Sequence, residues 1–434
     1  MNWNAKLWQH SMDDFPSFLE PLVAGLGRSE RRQAARLYAQ GLLMPGERKS
    51  IEPMAARLGV DSQRLQQFIT DSPWPEQAVW SALRRVIVPL WEPLQAWVVD
   101  ETGWLKQGDK SVGVARQYCG AVGKTANCQV SVELGVMGED ILLPIGGRLY
   151  LPEAWTQNPE RCRQAGVPDA VGFVTKPQIA RQLMAEALAQ GVPPSPLLGD
   201  SVYGGDPQLR RWLRAQGLEY FLQAEEQWLA WRKQPRLSRG RKLWSVATRQ
   251  PKGSTLRALA DGLSAKQWHR QAWRAVDCEK RVTRLAWLPI YLHADLDEGT
   301  GDWPLTWLVA DWPEGQPDPY HLYLAWLKQA PNPARFLRLS RSRWPIEQYF
   351  QRGKTDLGLD HFEGRSWRGF HHHLVMAAIA YVFISAVLLR SKKNFWPYVG
   401  EGVARDPALV DARDRVLPFL STAISEGNQR SYLT

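Results

Sequence analysis

Apolar residues recur at helical spacing over the first fifth of the chain and at strand-like spacing after it. FPSFLEPLVAGLG and SERRQAARLYAQGLLM carry an apolar side chain every three or four positions, which predicts amphipathic helices, the second capped by Ser29. SIEPMAARLGVDSQRLQQFITDSPW predicts a helix over about 50–58, a turn at Gly59-Val60-Asp61 and a second helix capped by Ser62. That is the punctuation of a helix-turn-helix, and its second helix offers Gln63, Arg64, Gln66 and Gln67 to base edges. An ordinary helical hairpin has the same pattern.

From about residue 95 the apolar runs shorten. AWVVDET predicts a short buried strand, and the stretch to LYLP predicts two or three more, with turns near Gly123-Lys124 and Gly138-Glu139. TKPQIARQLMAEALAQG predicts an amphipathic helix ending at Gly191, PLLGD a second buried strand, and EYFLQA a further one. DPQLRRWLRAQG between them predicts a helix with Asp206 as cap, Pro207 at its first position and Gly217 at its end. Strands alternating with helices in this order predict an α/β layer with helices packed on a mixed sheet. VTRLAWLPIYLHADL and PLTWLVADW resume the strand pattern, a helix is expected over 319–329, and another, carrying Glu347, follows Pro345. The apolar run Leu374–Leu389 is 16 residues long. A bilayer needs about 20, so this run predicts a buried core helix and no membrane span. Residues 391–434 read as a polar tail.

Charge changes the picture. Lys and Arg number 54 against 44 Asp and Glu, a formal net charge of +10, which favours a polyanionic partner. Much of the excess lies between Arg232 and Arg284, where 15 basic residues face three acids and alternate with Trp231, Trp244, Trp268 and Trp273. This stretch reads as a basic insertion in the α/β domain, suited to nucleic acid through counterion release and stacking; a solvated charged face has the same composition. Most of the 22 tryptophans are expected to pack in the core. Cys119, Cys128, Cys162 and Cys278 have no zinc-ligand spacing, and MNWNAKLWQHSMDDFPSF has no secretion pattern, so a reduced, cytoplasmic protein is expected.

Three acids stand out for chemistry. Asp100 and Asp200 each end an apolar run beside a glycine-containing turn, and Glu347 sits one helical turn from Arg343 and two from Lys354. Two acids on strand ends and one on a helix can converge on a pair of divalent metals, which clamp the oxygens of a phosphoryl transfer. The alternative reading of Glu347 is a plain ion pair with Arg343 or Lys354. Three consecutive histidines, His371–His373, cannot all face one ion from a regular helix, so packing or phosphate contact is expected of them.

The blocks VVDETGWLKQGDKSVGVARQYCGAVGKTANCQVSVEL, LLGDSVYGGDPQLRRWLRAQGLEYFLQ and RWPIEQYFQRGKTDLGLDHFEGRSWRGFHHHLVMAAIAYVFI resemble those around the three acids of IS701-family DDE transposases, relatives of the IS4 group. The resemblance implies a ribonuclease-H-like mixed sheet flanked by helices, with a β-rich insertion domain and an N-terminal helical domain. It implies that Asp100, Asp200 and Glu347 are catalytic and hold two Mg²⁺ or Mn²⁺ ions per site. It also implies metal-dependent cleavage and strand transfer at the ends of an insertion sequence, on double-stranded DNA with terminal inverted repeats, by a homodimer. Arg343, Trp344, Lys354, Arg365, Arg368 and Arg64 are the expected DNA contacts, with His361 and Glu363 along the path. The related group has a Tyr–Arg–Glu–Lys signature around the third acid; Arg343, Glu347 and Lys354 match it, but Ser340 stands at the Tyr position. Trp344 or Tyr349 is left as a substitute for that Tyr. The rival readings are a ribonuclease-H-like nuclease that cuts without joining, and an inactive DNA-binding protein. The expected units are a helical DNA-binding region (1–92), a first catalytic part (93–225), the insertion (226–300), a second catalytic part (301–390) and the tail (391–434).

Overall fold

The computed structural model describes residues 12–391, apart from 87, 92, 139–140, 241–242, 248–250, 275–279, 318 and 320. The expected polar tail beyond residue 391 therefore lies outside the described residues, as does Glu139 of one expected turn.

The helical region holds α1 (Phe15–Val23), α2 (Ser29–Leu43), α3 (Ile51–Leu58), α4 (Ser62–Gln66) and α5 (Glu76–Val86). Gly59 ends α3 in the left-handed conformation (φ 65°), which glycine adopts without a Cβ penalty. The cap of α4 is Asp61, whose carboxylate accepts from Gln63 N at 2.9 Å, and not Ser62 as expected. Asp has a fixed acceptor one residue earlier, which satisfies an orphan N–H at the helix start. Ser29 likewise falls inside α2, with Arg28 at the cap position.

The sheet is built from β1 (Ala96–Leu105), β2 (Ala115–Cys119), β3 (Lys124–Met137), β4 (Leu142–Tyr150), β5 (Leu197–Gly199), β6 (Tyr220–Ala224) and β7 (Leu229–Trp231). After the small hairpin β8 (Leu237–Arg239) and β9 (Trp244–Val246), it continues with β10 (Ser254–Thr255), β11 (His269–Arg274), β12 (Lys280–Leu292), β13 (Thr306–Pro313) and β14 (His321–Trp326). Its order is β10-β7-β12-β13-β14-β6-β5-β1-β3-β2, with β4 also on β3 and β11 on β12. At the centre β1, β5 and β6 run parallel, and β3 lies antiparallel to β1. The crossover from β4 to β5 contains α6 (Lys176–Ala189), opened by a capping box of Thr175 and Gln178. α7 (Ser201–Gly204) and α8 (Pro207–Ala215) connect β5 to β6; Asp206 caps α8 by accepting from Leu209 N at 2.7 Å. This is the mixed, helix-flanked sheet of a ribonuclease-H-like fold.

Two further expectations change. Residues 321–326 form a strand where a helix was expected, because HLYLAW buries Leu322 and Leu324 in alternation and finds partners on both sides, β13 and β6. That strand carries the sheet unbroken across residue 300, from the β-rich stretch into the core. Asp100 is also not at a strand tip: β1 runs on through Leu105, paired to β3 along its whole length.

The last helices are α9 (Pro333–Arg341), α10 (Trp344–Leu357) and α11 (Trp367–Ser391). The stretch Trp367–Val387 of α11 is long and apolar enough to cross a membrane by length and composition, longer than the 16-residue run suggested. Its whole apolar window is buried against α2, α5, α10 and β4. The three histidines are part of that packing. His371 Nε2 accepts from Leu149 N at 3.3 Å, and Tyr38 Oη lies 2.8 Å from His373 Nδ1. His372 stacks on Trp74 with ring centres 3.5 Å apart, its two nitrogens each 2.8 Å from a carbonyl oxygen, of Ile69 and Trp74.

Candidate active site

β1 and α10 bring two of the three acids onto one cation. Asp100 Oδ1 accepts from Glu101 N at 2.8 Å, and its Oδ2 accepts from Arg343 Nη1 at 2.8 Å. Arg343 Nη2 donates to Glu347 Oε1, one turn on along α10. Asp200 follows β5, the parallel neighbour of β1, and caps α7 by accepting from Val202 N at 2.9 Å. The turn it caps is pinned from behind: Arg210 Nη1 donates to Gly204 O, while Arg210 Nε and Arg214 Nη1 reach the buried Asp295 at 2.9 and 3.3 Å.

Electrostatics ties the group together. Burial pushes the Asp100 carboxyl up to about 7, the Asp200 charge adds to this, and Arg343 opposes it. Asp200 is also raised, by burial first and then by Glu101. Burial disfavours the Arg343 charge, yet Asp100, Glu347 and Asp200 outweigh it and hold the guanidinium protonated. Among the described residues, no three His, Cys, Asp or Glu side chains are already drawn closely enough to hold an ion. The donor set nonetheless fits a hard divalent cation: all anionic oxygen, mutually repelling, and with Asp100 and Glu347 sharing the positive charge of a single arginine.

The other expected residues are dispersed. Lys354 Nζ donates to Gly103 O at 2.7 Å, on β1 beyond Asp100. Trp344 is exposed beside Arg343. Arg365 lines an open cleft of about 610 Å³ together with Arg48, Lys106, Lys110, His361 and Glu363. Arg368 Nη1 donates to Asp71 O at 3.0 Å, and Arg64 Nη2 to Gln33 Oε1 at 2.6 Å, so Arg64 fastens α4 to α2. Ser340 donates to Leu337 O at 2.9 Å within its own helix. Tyr349 is buried against Glu133, out of reach of a phosphate, which leaves Trp344 as the solvent-facing aromatic beside the arginine.

Sequence reading passed over two acids. Glu101 accepts from Tyr203 Oη at 2.9 Å and pairs with Lys176; its adjacency to Asp100 was the available signal. Glu133 lies directly opposite Asp100 in the β1–β3 ladder, a relation that strand pairing alone creates.

Two comparisons with known proteins bear on the family of the chain. The family model described as DDE superfamily endonuclease matches residues 21–280, a span that holds Asp100 and Asp200 and stops before Glu347. The chain is 30% identical over 175 residues to a "Probable transposase for insertion sequence element IS701" of Microchaete diplosiphon. That alignment covers 40% of this chain and 43% of the relative. With a family match over more than half of its length, the chain belongs to the DDE superfamily endonucleases.

Proposed function

We infer that the protein is the transposase of an insertion sequence, which cleaves DNA at the element's ends and transfers the freed 3′ ends to a target. The observation that carries this reading is the convergence of Asp100 and Glu347 on Arg343, with Asp200 close enough for its charge to raise Asp100. Asp100, Asp200 and Glu347 would hold Mg²⁺ or Mn²⁺, two ions per site, which supply Lewis-acid activation and stabilise the leaving oxygen.

The chain's own residues do the rest. Burial pushes the Asp100 carboxyl up to about 7 against the pull of Arg343, and a divalent cation at its oxygens would favour the carboxylate form. Arg343 has two donors on two carboxylates. Released from either, its planar fork suits a phosphate of the bound strand. Basic side chains along the cleft of Arg48, Lys106, Lys110 and Arg365 would follow the DNA backbone, and Trp344 offers a stacking face. A homodimer on double-stranded DNA suits the pairing of two element ends.

The test uses DNA carrying the element's inverted repeats. Asp100→Asn, Asp200→Asn and Glu347→Gln should each abolish Mg²⁺-dependent cleavage with end binding within about twofold of wild type. Cleavage retained by any one removes that residue from the site. Cleavage without joining to a target would favour a nuclease.

A further inference from the structure

The helix that bears Glu347 has no side-chain cap at its start, and three polar links hold it to the sheet beneath. These are Arg343 to Asp100 at 2.8 Å, Lys354 to Gly103 O at 2.7 Å, and Tyr349 Oη to Glu133 Oε2 at 2.6 Å. The first uses the very groups the chemistry needs. Both oxygens of Asp100 are engaged, one by Glu101 N and one by Arg343. Asp100 cannot turn Oδ2 to another cation without loosening its hold on α10.

The Glu133 link has no such conflict. Glu133 stands opposite Asp100 in the ladder, so both side chains leave the same face of the sheet, toward α10. Its second oxygen accepts from Ser131 Oγ at 3.0 Å, and Ser131 in turn accepts from Trp104 Nε1 at 3.0 Å, back on β1. Trp104, Ser131, Glu133 and Tyr349 are each at most 1% exposed. Tyr349 is also held edge-on to Tyr381 of α11, with ring centres 4.7 Å apart. Room for the carboxyl is kept by Gly147, the β4 partner of Glu133: a Cβ there would sit 3.3 Å from Glu133 Cγ and 2.8 Å from Leu374 Cδ2. A carboxyl buried this deeply is costly unless fully bonded. Here its bonds lead to β1 on one side and to a residue two positions from Glu347 on the other.

We propose that Glu133, through Tyr349, is a positioning residue that keeps Glu347 over Asp100 when Arg343 lets go. It rests on the metal-dependent reading above and adds to it a residue that touches neither ion nor DNA. The pair fixes the rotation and height of α10, so that metal affinity depends on an oxygen in the second layer of the site.

The full-length chain carrying Tyr349→Phe loses one oxygen and keeps the ring. Mn²⁺ binding, followed by electron paramagnetic resonance without DNA, should weaken on the order of 10-fold. The Mg²⁺ concentration for half-maximal end cleavage should rise in step, with end-DNA affinity unchanged. Glu133→Gln, which can still bond Tyr349, should keep both metal constants within about threefold of wild type, whereas Glu133→Leu should match Tyr349→Phe. If wild type binds Mn²⁺ and cleaves, but Tyr349→Phe and Glu133→Leu bind Mn²⁺ as tightly while merely melting at lower temperature, Glu133 is only a core contact and the proposal falls. A wild-type chain that binds no Mn²⁺ overturns the metal-dependent reading itself and this proposal with it.

Discussion

Gly204→Ala tests whether Asp200 is held by the turn it caps. Gly204 closes α7, and its N–H donates to Asp200 O at 2.8 Å. A methyl group at this position would run into the Gln223 carbonyl oxygen on β6, well inside van der Waals contact, with the carbonyl carbon at 3.2 Å and Leu222 Cβ at 3.4 Å. The obstacle is sheet backbone and cannot rotate away. α7 is fixed on its other side by Arg210 donating to Gly204 O, with Arg210 anchored on buried Asp295. The turn must therefore retreat on the order of 1 Å, and it takes the Asp200 carboxylate with it. Overpacking of this kind costs about 1–3 kcal/mol, or a Tm lowered by roughly 2–4 °C per kcal/mol in a domain of ordinary size. A displacement of about 1 Å at a reacting group can cost 10²-fold in rate, equivalent to roughly 2.7 kcal/mol of barrier. Single-turnover cleavage of end DNA, measured well below the Tm of the variant, separates the two effects. The expected result is a modest loss of Tm with a rate loss on the order of 100-fold and unchanged end binding. A variant that melts lower yet cleaves at the wild-type rate would refute the idea that this contact sets the position of Asp200.

Other outcomes follow from the same geometry. Burial lowers His371, His372 and His373 from 6.5 to about 4 each, against hydrogen bonds that favour the charged ring. The unfolded chain then binds more protons than the folded one between pH 6.5 and 4, so their stabilisation is complete above 6.5 and is lost as pH falls toward 4. Each ring contributes up to about 3 kcal/mol, and Tm should fall steeply through this window, less steeply in His373→Gln; a Tm that is flat there, or equally steep in the variant, contradicts the assignment. Lys354 is spent on Gly103 O and its charge is disfavoured by burial, so Lys354→Ala should slow cleavage without changing the salt dependence of DNA affinity. A slope of log K against log salt reduced by about 0.9 would instead make Lys354 a phosphate contact.

The sequence alone determined the α/β class, the main elements as far as β6, and the three candidate acids with their local companions. These are properties of nearest neighbours along the chain: AWVVDET and PLLGD are apolar runs that end in acid, Pro207 and Asp206 begin a helix, and Arg343 and Glu347 are one turn apart wherever that helix lies. The resemblance in three blocks then supplied the sheet type, which the topology bears out. Tertiary structure decided what distance along the chain hides. HLYLAW becomes a strand because β13 and β6 flank it, a pairing across about 100 residues that outweighs any local preference. His371–His373 are divided among different partners only by the packing of α11 on β4, on the segment from Ile69 to Trp74, and on α2. Glu133 has no motif around it; it matters because β3 pairs with β1 in the register that sets it opposite Asp100, and because α10 lays Tyr349 on top. A one-residue slip of that ladder would turn Glu133 to the opposite face, so its role is a consequence of register, which no reading of β3 by itself contains.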